Sequence, residues 1–286
     1  MIISVNQPYF FPFLGFFYKA YLSDNFVILD DVQFPRGTTW ITRNRFKNAQ
    51  GSLWMTVPVI KKGLGLQKIN AVRIYHDGRW AKKHLHSLKN AYIRAPYFRE
   101  HLNFLEDLFS TKFEKLIHLN LKIIRYLMQQ LQVDTNVVLS SELRIHEKGD
   151  KLLLGICRRL NASQFLVQKS ARKYINSDQL SASGIQLRDF TPLSPVYPQL
   201  WGDFIPNLSA LDIIFNCGPK AHDIMTQIDR EQNGNNILSI WFCIYFSEFR
   251  WDLTRQPHFG KWLSFQHLGR FTTDPQFRSE HWRHIC

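Results

Sequence analysis

Long apolar runs, paired cysteines and the familiar nucleophile motifs are all missing from this sequence. No stretch approaches the ~18 apolar residues of a membrane-spanning helix. The four cysteines, Cys157, Cys217, Cys243 and Cys286, lie far apart with no Cys-x-x-Cys pair, which argues against a structural zinc site and a disulfide framework. No basic residue precedes the apolar opening Met-Ile-Ile-Ser-Val, and no small-residue cleavage site follows it. It therefore reads as a strand and not a signal peptide. A reduced, cytoplasmic protein is the expectation. Gly-x-Ser-x-Gly, His-Glu-x-x-His and Gly-x-Gly-x-x-Gly are also absent, which argues against a covalent hydrolase, a zinc protease and an NAD enzyme.

What is present is a chain of 286 residues, 45% hydrophobic and 21% charged, enough for one large α/β domain or two small ones, and for a substantial core. Thirty-six Lys and Arg against 23 Asp and Glu leave a net charge of +13. A positive surface attracts polyanions, acidic membrane or phosphate-bearing small molecules. The cations are mixed with acids on the apparent helices, and no homeodomain, RNP or finger pattern occurs. The expected partner is a phosphorylated or nucleotide-linked small molecule, with no specific nucleic acid.

Along the chain, the apolar run Ile2 to Val5 reads as a strand that stops at Asn6-Gln7-Pro8, because proline cannot donate to a sheet ladder. Leu14 to Leu22 has helical spacing, and Phe26 to Leu29 is a buried strand that ends on Asp30-Asp31. Strand, helix and strand make a βαβ unit, and open α/β sheets bind ligands at the carboxyl ends of their strands. Lys61 to Gly65 lacks P-loop spacing and reads as a loop, followed by a strand over Ile69 to Ile74. Residues 79–131 read as a helical insertion with core stripes. The next strand, Val137 to Leu139, breaks at Ser140-Ser141. A helix over Lys148 to Leu160, a strand over Ser163 to Val167, a short helix over Gln179 to Ser183 and a strand over Ile185 to Leu187 complete the pattern. The expected fold is α/β, a mainly parallel Rossmann-like sheet flanked by helices, over residues 1–230. Residues 231–286 form an aromatic-rich extension without sustained periodicity, in which His281, His284 and Cys286 are a poor candidate metal cluster.

Polar residues concentrate at three strand ends: Asn6-Gln7 with Tyr9, Asp30-Asp31 with Gln33 through Arg45, and Ser170 through Tyr174. Asp30 reads either as a general base or orienting carboxylate, or as a structural ion-pair partner of Arg43 or Arg45. Arg43, Arg45, Arg172 and Lys173 suit phosphate, whose oxygens match the guanidinium fork. Magnesium with a nucleotide-linked donor is the cofactor that such a site admits. Ser141 suits a helix cap or a phosphate, and Ser209 with Asp212 has capping-box character.

Several of these segments together resemble the WbqC-like protein family. They are Gln7-Pro8-Tyr9, Pro12-x-x-Gly15-Phe16-Phe17, Asp24-x-Phe26-Val27-Ile28-x-Asp30-Asp31-Val32-Gln33-Phe34, Trp40-x-x-Arg43-Asn44-Arg45 and Trp54-x-x-Val57-Pro58-Val59. Ser140-Ser141-Glu142-Leu143, Arg172-Lys173-Tyr174, Tyr197-Pro198-Gln199 and Asn207-Leu208-Ser209-x-x-Asp212-x-x-Phe215-Asn216-x-Gly218 continue the resemblance, which stops near Gly218 to Ile224. It implies a bacterial enzyme of O-antigen or other surface-polysaccharide biosynthesis, a transferase acting on a nucleotide-activated or carrier-linked substrate. The implied catalytic residues are Asn6, Gln7, Asp30 and Asp31. The implied binding residues are Tyr9, Gln33, Trp40, Arg43, Asn44, Arg45, Ser141, Arg172, Lys173, Tyr174, Tyr197, Gln199, Asn207, Ser209 and Asp212. Asn6 stands where many members have histidine, and Val167-Gln168 where they often have Ser-Gly. A nucleotidylyl- or adenylyl-transferring enzyme and a non-catalytic binding protein of a polysaccharide assembly are the alternatives.

Overall fold

The computed structural model describes residues 1–192 and 194–232. His281, His284, Cys286 and nearly all of the aromatic-rich extension lie outside the described residues. The chain runs β1 (Ile2–Asn6), α1 (Leu14–Tyr21), β2 (Asn25–Ile28), β3 (Arg43–Asn48), β4 (Gly51–Thr56), α2 (Trp80–Tyr92), α3 (Leu102–Ser110) and α4 (Leu116–Gln130). It continues as β5 (Asn136–Leu139), α5 (Asp150–Arg159), β6 (Gln164–Gln168), α6 (Ser177–Ala182), β7 (Gln186–Phe190), α7 (Ala210–Cys217) and α8 (Lys220–Gln232).

Five strands form one sheet in the order β5-β2-β1-β6-β7, and every pairing in it is parallel. Strands buried on both faces need continuous apolar runs, which Ile3, Val5, Phe26, Val27 and Ile28 supply. Alternation sends Phe26 and Ile28 to the core beneath α1, α4 and α7, while Ile3, Val5, Val27 and Leu29 face α5 and α6. Each large side chain buried this way contributes about 1.5–3 kcal/mol. The expected α/β sheet is thus the observed fold.

The chain moves outward from β1 through β2 to β5, then crosses back to lay β6 on the other side of β1. The switch point of this doubly wound order lies between β1 and β6, where such sheets open a crevice. Pairing is uneven there: β1 matches β2 from Ile3↔Asn25 to Asn6↔Ile28, whereas it matches β6 only at Ile2↔Gln164 and Ile3↔Phe165. The two strands part toward their carboxyl ends.

The insertion between β2 and β5 holds more than helices. β3 and β4 form an antiparallel hairpin, from Arg43↔Thr56 to Asn48↔Gly51. Residues Ile69–Ala71 form a short 3₁₀ helix, and Ile74 makes only an isolated bridge to Val59. The strand expected over Ile69 to Ile74 is not formed. Backbone bonds from Ile69 and Asn70 to the carbonyls of Val32 and Asp30 hold that segment against the exit of β2 instead.

Candidate active site at the carboxyl edge of the sheet

Asp30 follows β2 directly, and Ser140 and Ser141 follow β5, so neighbouring parallel strands deliver all three to one edge. The Asp30 carboxylate accepts from Ser141 N–H at 2.9 Å, Ser141 Oγ at 2.7 Å and Asn70 Nδ2 at 3.3 Å. Ser140 Oγ lies 3.1 Å from Asp30 Oδ1, accepts the Asp30 N–H and also contacts Asp31 Oδ1. One hydroxyl proton thus stands between two carboxylates. Asp30 is only 3% exposed, yet it borders a cleft of about 300 Å³ lined also by Asn70, Leu139, Lys115 and His118. The ion pairs found among the described residues do not include one from Arg43 or Arg45 to Asp30.

The cleft brings together a carboxylate, an amide, an amine and an imidazole. A hydroxyl or amine can be oriented by Asp30 while Lys115 and His118 meet an anion. Asp30 and Asp31 could also contribute to a magnesium site completed by water and substrate phosphate. Among the described residues no group of three or more His, Cys, Asp or Glu could hold a metal by itself.

Asn6 and Gln7 end β1 at the switch point. Asn6 donates to the Gln7 carbonyl at 3.1 Å and touches the Tyr9 hydroxyl, whose pKa burial raises and Asn6 opposes. Gln7 is 5% exposed, and its Nε2 has no hydrogen-bond partner. Inside the parting of β1 and β6, Lys19 Nζ donates to the Val5 carbonyl at 2.7 Å. Burial without a carboxylate partner lowers the Lys19 pKa to about 7. Nothing in the sequence signals this amine, because a lysine in an amphipathic helix reads as solvent-facing. The first turn of α1, where a Rossmann-type fold offers its N–H groups to phosphate, is covered. A Cβ on Gly15 would lie 2.6 Å from the Phe13 ring and 2.8 Å from Pro192.

The expected binding residues divide into groups. On the hairpin, Arg43 stacks over Trp54 at 4.0 Å and Arg45 lies 5.8 Å from the same ring. Trp40 packs on Trp54 with centroids 5.6 Å apart. Trp54 is 42% exposed, so the hairpin presents a cationic and aromatic surface. Asn44 points the other way and is buried, donating to the Phe10 and Phe11 carbonyls at 3.1 and 2.7 Å. Gln33 is exposed beside Lys68. Beyond β6, Arg172–Tyr174 is a 3₁₀ turn in which Arg172 Nη1 donates to both Asp189 carboxylate oxygens at 2.9 Å. Lys173 is exposed on the same turn, and the Tyr174 side chain lies outside the described residues.

Tyr197, Gln199 and Asp212 gather elsewhere, around Lys47, inside the packing of the hairpin against α2 and α7. Lys47 Nζ donates to Gln199 Oε1 at 3.0 Å and to the Asp203 carbonyl at 2.6 Å. Tyr92 donates to Asp212 at 2.7 Å while its oxygen accepts from Lys47 N–H. Asp212 is fully buried. Burial raises its pKa to about 6 against the opposing pull of Tyr92, Tyr197 and Lys47. Burial also lowers the Lys47 pKa and pushes the Cys217 thiol up to about 12, which leaves that sulfur inert. Ser209 caps α7 by accepting from Leu211 N–H at 3.3 Å, and Asn207 occupies a left-handed turn at φ 55°. These residues build a polar knot around the buried Asp212 and Lys47, with Tyr197 and Gln199 half-buried at its rim.

A family model described as the WbqC-like protein family matches residues 7–224. The chain is also 31% identical to the uncharacterized protein Rv1507c of Mycobacterium tuberculosis over 227 residues, covering 78% of this chain and 96% of that one. No solved structure matches.

Proposed function

The chain belongs to the WbqC-like protein family, and we propose that it is a transferase acting on a carrier-linked or nucleotide-activated substrate in bacterial surface-polysaccharide biosynthesis. The observation that carries this reading is the carboxylate Asp30, fixed by Ser140, Ser141 and Asn70 at the mouth of a cleft that Lys115 and His118 also line. Asp30 orients the acceptor hydroxyl or amine, and Lys115 and His118 hold the anionic part of the donor.

A thermal-shift screen tests the assignment with nucleotides, nucleotide-sugars and acyl- or aminoacyl-activated donors, each with and without magnesium. A ligand of the native state raises the melting temperature with its saturation. A shift from one donor class that Asp30→Asn and Lys115→Ala both lose, followed by turnover of that donor, is the expected result. No shift from any donor with a folded sample would favour a non-catalytic binding protein instead.

A further inference from the structure

From Val32 to His76 the chain contains no Asp or Glu, while it contains four lysines and four arginines. A stretch of 45 residues thus carries +8 of the +13 net charge. It folds as the hairpin and the loop after it, whose tip reads Lys61-Lys62-Gly63-Leu64-Gly65-Leu66. Leu64 and Leu66 are 43% and 58% exposed. Gly63 and Gly65 have φ of 79° and 59°, conformations that glycine adopts without strain and that turn the loop outward. Lys61 braces the tip by donating to the Arg36 and Gly37 carbonyls at 3.2 and 3.3 Å. Three residues after Gly37, Trp40 packs on the exposed Trp54.

We infer that this loop docks the protein on an anionic lipid bilayer. Lysines satisfy the headgroup phosphates, and Leu64 and Leu66 enter the acyl boundary, as apolar residues do in interfacial segments flanked by cations. A nucleic acid would reward the cations alone, because two solvent-facing leucines meet nothing apolar on a phosphate backbone. No described helix is long and apolar enough to cross a membrane, so the attachment is peripheral. This inference stands independently of the transferase reading.

Co-sedimentation of the full chain with vesicles tests it, comparing phosphatidylcholine alone with phosphatidylcholine containing phosphatidylglycerol. Binding at least tenfold stronger to the anionic vesicles is expected. Leu64→Ser/Leu66→Ser should weaken it at least tenfold at unchanged charge, and Lys61→Gln/Lys62→Gln should weaken it and flatten its salt dependence. Circular dichroism and melting temperature confirm that these loop variants fold. Binding that the leucine variant leaves intact would overturn the inference, as would no preference for anionic vesicles. So would a duplex oligonucleotide bound as tightly as the vesicles and insensitive to the leucines.

Discussion

Two polar clusters in this protein use similar residues to opposite ends. At the carboxyl edge of β2 and β5, Asp30 is surrounded by two serines and an amide, and a cleft lies beside it. Between the hairpin and α7, Asp212 is surrounded by two tyrosines and a lysine, with no exposed surface. Both carboxylates belong to segments with the family's signature, so sequence signature alone does not say which of them a ligand would meet. The difference lies in what each carboxylate faces: Asp30 borders a cleft, and Asp212, fully buried, faces Tyr92, Tyr197 and Lys47.

Breaking the knot should show in stability. Lys47→Ala leaves Gln199 Oε1 and the Asp203 carbonyl without their Nζ donor and should cost about 1–3 kcal/mol, as leaving buried acceptors unsatisfied does. Urea unfolding measures it, and a loss below about 1 kcal/mol would show that the knot is not structural. The pH dependence sharpens the same point. The folded pKa of Asp212, about 6, lies above its ordinary 3.8. Its contribution to stability is therefore complete below pH 3.8 and is lost as pH rises through 6. The interval corresponds to about 3 kcal/mol at 1.36 kcal/mol per unit. Asp212→Asn should flatten the stability profile across that window.

The edge cluster should respond in activity. With the donor identified, Asp30→Asn should lower turnover by about a hundredfold or more while costing about 1–3 kcal/mol of stability, since the amide keeps one acceptor oxygen and turns its NH2 toward Ser141 Oγ or Asn70 Nδ2. A fall in stability with turnover unchanged would erase the contrast between the two clusters. The smallest effect belongs to Arg172. Its ion pair with Asp189 is solvent-exposed, so Arg172→Ala should change stability by about 1 kcal/mol or less, and ligand-induced melting shifts should persist.

The parallel strands were legible because apolar runs ending in proline, aspartate or serine have few other readings. Asp30 and Ser141 were legible for the same reason, since a strand's carboxyl end is a known address. The hairpin was not. Arg-Asn-Arg-Phe-Lys-Asn looks solvent-facing until Asn44 finds the Phe10 and Phe11 carbonyls and Lys47 finds Gln199, 152 residues away. Tyr92 and Asn70 escaped notice likewise, because their partners stand 120 and 40 residues distant. Tyr197, Gln199 and Asp212 were recognised as important, but only tertiary structure assigns them to the knot.

The short seam between β1 and β6 divides the sheet mechanically. Its base is stitched, with the Met1 ammonium on Ser163 Oγ at 2.8 Å and the Met1 carbonyl accepting from Ser163 and Gln164. Its top carries no ladder pairing, and Lys19 satisfies the Val5 carbonyl that alternation turns toward β6. By contrast β6 and β7 stay in register over five residues. In amide exchange, β6 and β7 should therefore behave as a cooperative unit that separates from β1 at a lower free energy than global unfolding. The sheet is thus two leaves, β5-β2-β1 and β6-β7, laced together by a short ladder near their amino-terminal ends.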